Sequence, residues 1–107
     1  MKKALVTLAL LITTAAHAGD YQNYSAVLSI CKMQAKIAMM LAKSKIDGST
    51  PMTKVEDYRD GDPGLYELVL NMDRIADEYK DSGLQMVGER AGMWCMDNAE
   101  NIIFKHR

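Results

Sequence analysis

Two cysteines govern what this chain can become. Cys31 and Cys95 are the only ones among its 107 residues, and each lies in a stretch whose apolar residues recur at helical intervals. In an oxidising compartment a single intramolecular pairing is available to them. The bridge would close a loop of about 64 residues and restrict the unfolded chain by about 4 kcal/mol. In a small domain that is a large part of total stability. The spacing is not that of a CxxC redox motif, and no further cysteine completes a thiolate zinc site.

The N-terminus predicts that compartment. Residues 1–18, MKKALVTLALLITTAAHA, combine the positive Lys2 and Lys3, a short apolar run from Ala4 to Ile12, and the small residues Ala16 and Ala18 flanking His17. This is the pattern of a cleaved secretory signal, and the apolar run is too short to span a bilayer. No cysteine follows the cleavage point, so no lipid anchor is expected there. A periplasmic location follows, with Gly19 to Arg107 as one domain whose small size makes its core marginal. No later stretch approaches 18 continuous apolar residues, and no stable membrane insertion is expected once the signal is removed.

The rest of the chain carries helical periodicity and no strand pattern. Ser25–Gly48 reads as a long helix with Asn23 or Ser25 as its N-cap and Gly48 as its stop. Val27, Ile30, Cys31, Ala35, Ile37, Ala38, Leu41 and Ala42 share a wide arc of it, which makes it the central helix. Ser29, Lys32, Lys36 and Lys43 fill the opposite wedge. Residues 51–59 read as a short helix with a Thr53/Glu56 capping box and with Met52 and Val55 turned inward. Asp60-Gly61-Asp62-Pro63-Gly64 reads as a turn in which Asp62 caps and Pro63 starts the next helix. That helix runs to about Asp81, with Leu65, Leu68, Val69, Met72, Ile75, Ala76 and Tyr79 on its inner face. A last helix, Leu84–Phe104, turns Leu84, Val87, Ala91, Trp94, Cys95, Asn98 and Ile102 inward. Gly88 and Gly92, one turn apart, predict close packing against the first helix. The expected fold is therefore all-α, a three- to four-helix bundle stapled by one disulfide between Cys31 and Cys95.

Charge and composition narrow the function. Taking Lys2 and Lys3 from the 13 basic residues leaves the 14 acidic ones in clear excess, which argues against nucleic acid as a partner. The charge is also divided: Lys32, Lys36, Lys43 and Lys45 lie in a segment without acids, while residues 56–81 hold nine carboxylates against Arg59, Arg74 and Lys80. Such a two-sided molecule suits a charged macromolecular partner, or lets its own helices attract one another. Catalysis finds little to work with. His17 leaves with the signal, His106 is next to the C-terminal residue, and a positioned imidazole is what a Ser-His-Asp or Cys-His arrangement needs. No enzyme activity, cofactor or metal is expected.

Two metal readings have residues behind them. Glu56 to Glu67 superficially tracks a calcium loop, but Tyr58 falls where a carboxylate is required and Pro63 breaks the loop. Eight methionines follow the signal, with Met93 and Met96 three apart and Met33, Met39 and Met40 on the first helix. Thioethers suit Cu(I), so a methionine-based periplasmic copper protein is an alternative, while methionine is also a gap-filler and an adaptable contact residue. A periplasmic stress chaperone that opens to expose this Met-rich core is a further alternative.

The leading expectation is a protein partner. The turn from Tyr58 to Tyr66 sets two tyrosines among Asp57, Asp60, Asp62 and Glu67, aromatics for contact area and carboxylates for steering. An acidic aromatic loop of this kind fits a basic cleft, and Tyr58, Asp60, Asp62, Tyr66 and Glu67 are the candidate partner-binding residues. The run Gln22-Asn23-Tyr24 before Cys31, with Cys95-Met96-Asp97, resembles the cysteine neighbourhoods of small helical immunity proteins against type VI amidase effectors. That resemblance covers two short patches and none of residues 53–90. It implies a periplasmic, all-helical, disulfide-bonded protein that blocks a peptidoglycan-cleaving enzyme with a protruding loop. Cys31 through Gly48-Ser49-Thr50-Pro51-Met52 also resembles small secreted proteins from prophage regions, and a signal plus one disulfide is shared by phage-encoded periplasmic lysozyme inhibitors. The expected function is an inhibitor or immunity factor acting on a protein such as a basic cell-wall hydrolase.

Overall fold

Apolar residues three and four apart place one face of each helix against its neighbours. The computed structural model describes residues 14–106, with side chains from Tyr24 onward; the lysines and apolar run of the expected signal lie outside the described residues. Among the described residues the structure is all-helical. Three α-helices, α1 (Thr14–Asp47), α2 (Pro63–Tyr79) and α3 (Leu84–Lys105), are joined by two 3-10 turns at Val55–Tyr58 and Lys80–Ser82.

The first helix is longer than its periodicity implies. It is already helical at Thr14 and passes through Asn23 and Ser25 without a break, so neither residue is its N-cap. A serine or asparagine caps only where the preceding chain leaves the helix, and the alanines at 15, 16 and 18 favour its continuation. The other end stops as expected. Gly48 adopts a φ of 76°, in the left-handed region, and its N–H donates to the Ser44 carbonyl at 2.8 Å. Asp47 reinforces the stop by accepting from the Ser49 N–H at 2.9 Å and the Ser49 hydroxyl at 2.6 Å. These two bonds, with the ammonium of Lys43, hold the Asp47 carboxyl down to about 2.

The connector differs from the expected short helix. Only the four residues Val55–Tyr58 are helical, as a 3-10 turn. Thr53 and Glu56 do not form the capping box. Instead the Lys54 N–H donates to Asp57 Oδ2 at 3.1 Å, and the Asp57 N–H donates to the Lys54 carbonyl at 3.0 Å. Met52 is 93% exposed rather than turned inward, whereas Val55 packs against the core. A stretch this short is below the length at which a helix sustains itself, and one apolar anchor holds only a single turn.

The two remaining helices begin where local chemistry directs. Asp62 Oδ1 accepts from the N–H groups of Gly64 (2.8 Å) and Leu65 (3.3 Å), and Pro63 supplies the first helical residue without wasting a donor. After the 3-10 turn at Lys80–Ser82, Gly83 reverses the chain with a φ of 103°, a conformation that a side chain would strain.

Contacts between the helices define their directions. Gly88 and Gly92 of α3 face Met39 and Ala35 of α1, and Cys95 meets Cys31 across a Cα–Cα distance of 5.5 Å, so α3 runs antiparallel to α1. Gly64 at the start of α2 lies against Ile102 and Ile103 at the end of α3, so α2 is also antiparallel to α3. Consequently α1 and α2 are parallel, and the connector between them travels back along the bundle so that α2 can start beside the earlier part of α1. The core sits where the three helices meet. Ile37, Ala38, Leu41 and Ala42 come from α1, Leu68, Val69, Met72 and Ile75 from α2, and Val87, Ala91, Cys95, Ala99 and Ile102 from α3. Within α1, Tyr24–Asp47 is long and apolar enough to cross a membrane by length and composition, but its buried positions are the ones that meet α2 and α3.

Two predictions follow from this packing. Replacing both Cys31 and Cys95 by Ala lowers the unfolding free energy by about 4 kcal/mol, measured by urea denaturation beside wild type whose intact mass rises by two hydrogens on reduction. A Cβ added at Gly88 would lie 2.7 Å from Met39 Sδ. Because Sδ belongs to a flexible side chain that can turn aside, Gly88→Ala is expected to be near neutral, the displacement of Met39 offsetting the helix preference of alanine, whereas in a Met39→Ala background it stabilises by about 1 kcal/mol. The double-mutant cycle reads the coupling directly.

Candidate functional site

The acidic turn before α2 is pinned from both sides. Tyr58 ends the 3-10 turn half-buried against the core, and its carbonyl accepts from the Gly61 N–H at 3.2 Å. Asp60, Gly61 and Asp62 are then exposed at the tip. The Asp62 carboxylate is committed to capping α2 as well as facing solvent.

The five expected partner-binding residues do not share one surface. Asp60 and Asp62 lie at the tip of the turn. Tyr66, half-buried one turn into α2, lines a cleft of about 600 Å³ with Leu41, Lys45, Val55 and Asp73, between α1, the connector and α2. An ion pair spans that cleft, Lys45 Nζ to Asp73 Oδ1 at 3.0 Å. Glu67 turns the other way, toward the end of α3, where its Oε1 lies 2.9 Å from both Lys105 Nζ and His106 Nε2. Those two partners, His106 first, hold the Glu67 carboxyl below its ordinary value. Glu67 is thus occupied in tying α2 to α3, and Asp62 in capping. Among the described residues no group of three or more His, Cys, Asp and Glu side chains converges on a metal position.

The helices also hold one another through their charges. Arg74 of α2 stacks over Trp94 of α3 at 5.8 Å, and Arg90 of α3 over Tyr79 of α2 at 5.4 Å. On α1, Lys32, Lys36 and Lys43 are exposed. The methionines are scattered: Met72 is buried, Met39 covers Gly88, and Met33 and Met93 are 62% and 60% exposed. Met93 and Met96 border a shallow groove of about 390 Å³ beside Cys31.

A second cleft, of about 330 Å³, opens between α1, α2 and the end of α3, and it contains a residue not singled out above. Among the described residues Gln34, 1% exposed, is the sole buried polar side chain, and its Oε1 finds no hydrogen-bond partner there. Its register was visible, three residues after Cys31 and three before Ile37, in the middle of the inward arc. Its polarity set it apart from a list of apolar positions.

No protein-family model, curated protein or solved structure matches this chain.

The dual roles of Asp62 and Glu67 are separable. Asp62→Ala costs about 1 kcal/mol through loss of the cap, while Asp62→Asn, which still accepts from backbone N–H groups, costs a few tenths; thermal denaturation distinguishes them. For Glu67 the folded pKa is the lower one, so its contribution to stability is present above about 4.5 and is lost as pH falls through the folded value. Glu67→Gln removes that component of the acid-side decline, read from denaturation midpoints between pH 6 and pH 3.

Proposed function

We propose that this protein is a small periplasmic binding protein that inhibits or protects against another protein, a basic one such as a peptidoglycan-cleaving enzyme. The observation that carries this reading is the acidic turn held on a stapled scaffold. Glu56 and Asp60 are exposed and enter no ion pair among the described residues. The backbone beneath them is fixed by the 3-10 turn, the Asp62 cap and the packing of Tyr58. Loops held this way on a rigid frame lose little entropy on binding and are the usual place for recognition.

Supporting the compartment are the Lys2/Lys3 leader and the Cys31–Cys95 bridge, which belongs to an oxidising environment. We assign no catalytic role, because the single described imidazole, His106, is engaged by Glu67. We read α1 as a core helix rather than a membrane span, because its Cys31, Ile37, Ala38, Leu41 and Ala42 are used up in packing.

The test is capture of a partner from periplasmic extract and from neighbouring effector or phage proteins, followed by charge reversal. Glu56→Lys with Asp60→Lys weakens binding of the recovered partner about 10-fold at low ionic strength and less at high salt, since exposed charges act mainly by steering. Unchanged affinity at low salt rejects the turn as the recognition element.

A further inference from the structure

The outer faces of α1 and α3 carry opposite charges that the fold leaves unpaired. Between them runs the groove of about 390 Å³, bordered by Leu28 and Lys32 of α1 and by Met93, Met96 and Asp97 of α3. Lys32 and Lys36 are exposed on α1, and Glu89, Asp97 and Glu100 on α3. None of these five enters an ion pair among the described residues, although Lys32 and Asp97 border the same groove. Glu89, Met93, Met96 and Glu100 recur at helical intervals, so they form one stripe along α3. The two faces also match in level. Gly88 lies against Met39 and Gly92 near Ala35, which sets Lys36 level with Ala91 and Lys32 level with Cys95. Each lysine is therefore about 3 Å along the helix axis from the level of a carboxylate on α3, Glu89 for Lys36 and Asp97 for Lys32. By the same register Tyr24 is level with Ile103, next to Phe104, and Tyr24 and Phe104 are each 57% exposed.

We propose that this face binds a second copy of the chain, in a two-fold dimer whose axis runs parallel to the helices. That operation lays α1 of one copy over α3 of the other, antiparallel and at the same level. Lys32 of each copy then faces Asp97 of the other, Lys36 faces Glu89, and the symmetry makes every pair twice. Met93, 60% exposed, and Met96 close over the groove between the charges, a use to which an adaptable thioether side chain is suited. An apolar strip rimmed by charges marks a contact surface. The other two-fold, perpendicular to the helices, would set α1 on α1 and α3 on α3, lysine against lysine and carboxylate against carboxylate. Charge therefore selects the parallel axis. The same axis presents both acidic turns at one end of the dimer. The ligand here is the chain itself, so the assembly stands whether or not the acidic turn binds another protein.

Sedimentation equilibrium of the oxidised protein tests the assembly. At about 100 µM and low ionic strength the expected mass is twice that of the chain, and added salt weakens the association. Lys32→Asp alone, or Asp97→Lys alone, is expected to weaken the dimer about 10-fold. Both side chains are exposed, so each variant keeps the melting temperature of wild type. An equimolar mixture of the two variants is expected to recover the wild-type affinity, because every like-charged pair across the interface becomes an opposite pair. Charge reversal at Glu56 and Asp60 leaves the dimer unchanged, which separates this face from the acidic turn. A monomer at about 100 µM overturns the proposal. A dimer that neither substitution weakens overturns the assignment to this face, and a mixture that associates no better than its components overturns the parallel two-fold axis.

Discussion

Parallel packing of α1 and α2 is the constraint on which the remaining architecture depends. Two consecutive parallel helices cannot be joined by a tight turn, so residues 48–62 must travel back along the bundle before α2 begins. That return path gives the molecule its connector, places Val55 against the core, and delivers the chain to Asp62 at the end of the bundle where α3 terminates. It also leaves α3 as the element that must hold both parallel helices. It does so through the Cys31–Cys95 bridge and the Gly88 and Gly92 contacts on one side, and through Arg74–Trp94, Arg90–Tyr79 and the Glu67 pairs on the other. A small core supplemented by one long-range covalent link is the expected solution at this chain length.

The division of charge noted in the sequence is used inside the molecule only in part. Lys45 reaches Asp73 across the parallel pair, and Lys105 and His106 reach Glu67 across the antiparallel pair. These pairs are partly exposed, so each contributes little free energy by itself, but they orient neighbouring helices. What remains for outside partners is smaller than the composition implies: the carboxylates at the tip of the turn and the lysines on the outer face of α1.

Helix identity and inward faces were legible because long periodic segments report burial directly. Leu68, Val69, Met72, Ile75 and Ala76 on α2, and Val87, Ala91 and Cys95 on α3, are buried as their spacing implies. The pairing of the cysteines was legible because both lie on inward arcs. Boundaries fared less well. Asn23 and Ser25 carry cap chemistry that the continuing helix does not use, and Thr53 and Glu56 satisfy a capping pattern that Lys54 and Asp57 displace by one position. The exposure of Asp60 and the cap at Asp62 were legible in the turn residues. The engagement of Glu67 by Lys105 and His106 was not, because a contact to residues 38 and 39 positions away leaves no local signature. Gln34 was hidden for the complementary reason: its register is that of a core residue and its chemistry that of a surface one.

Asp62 holds two offices, capping α2 and bordering the Gln34 cleft, and this has an evolutionary consequence. Substitutions at the position are filtered first by the requirement for a short side-chain acceptor, which admits few residues besides Asp, Asn, Ser and Thr. Drift toward a basic residue is opposed by loss of the helix start. Change in this part of the surface is thereby channelled to Glu56, Asp60 and Met33, which are exposed. Related chains would keep the cap and vary around it.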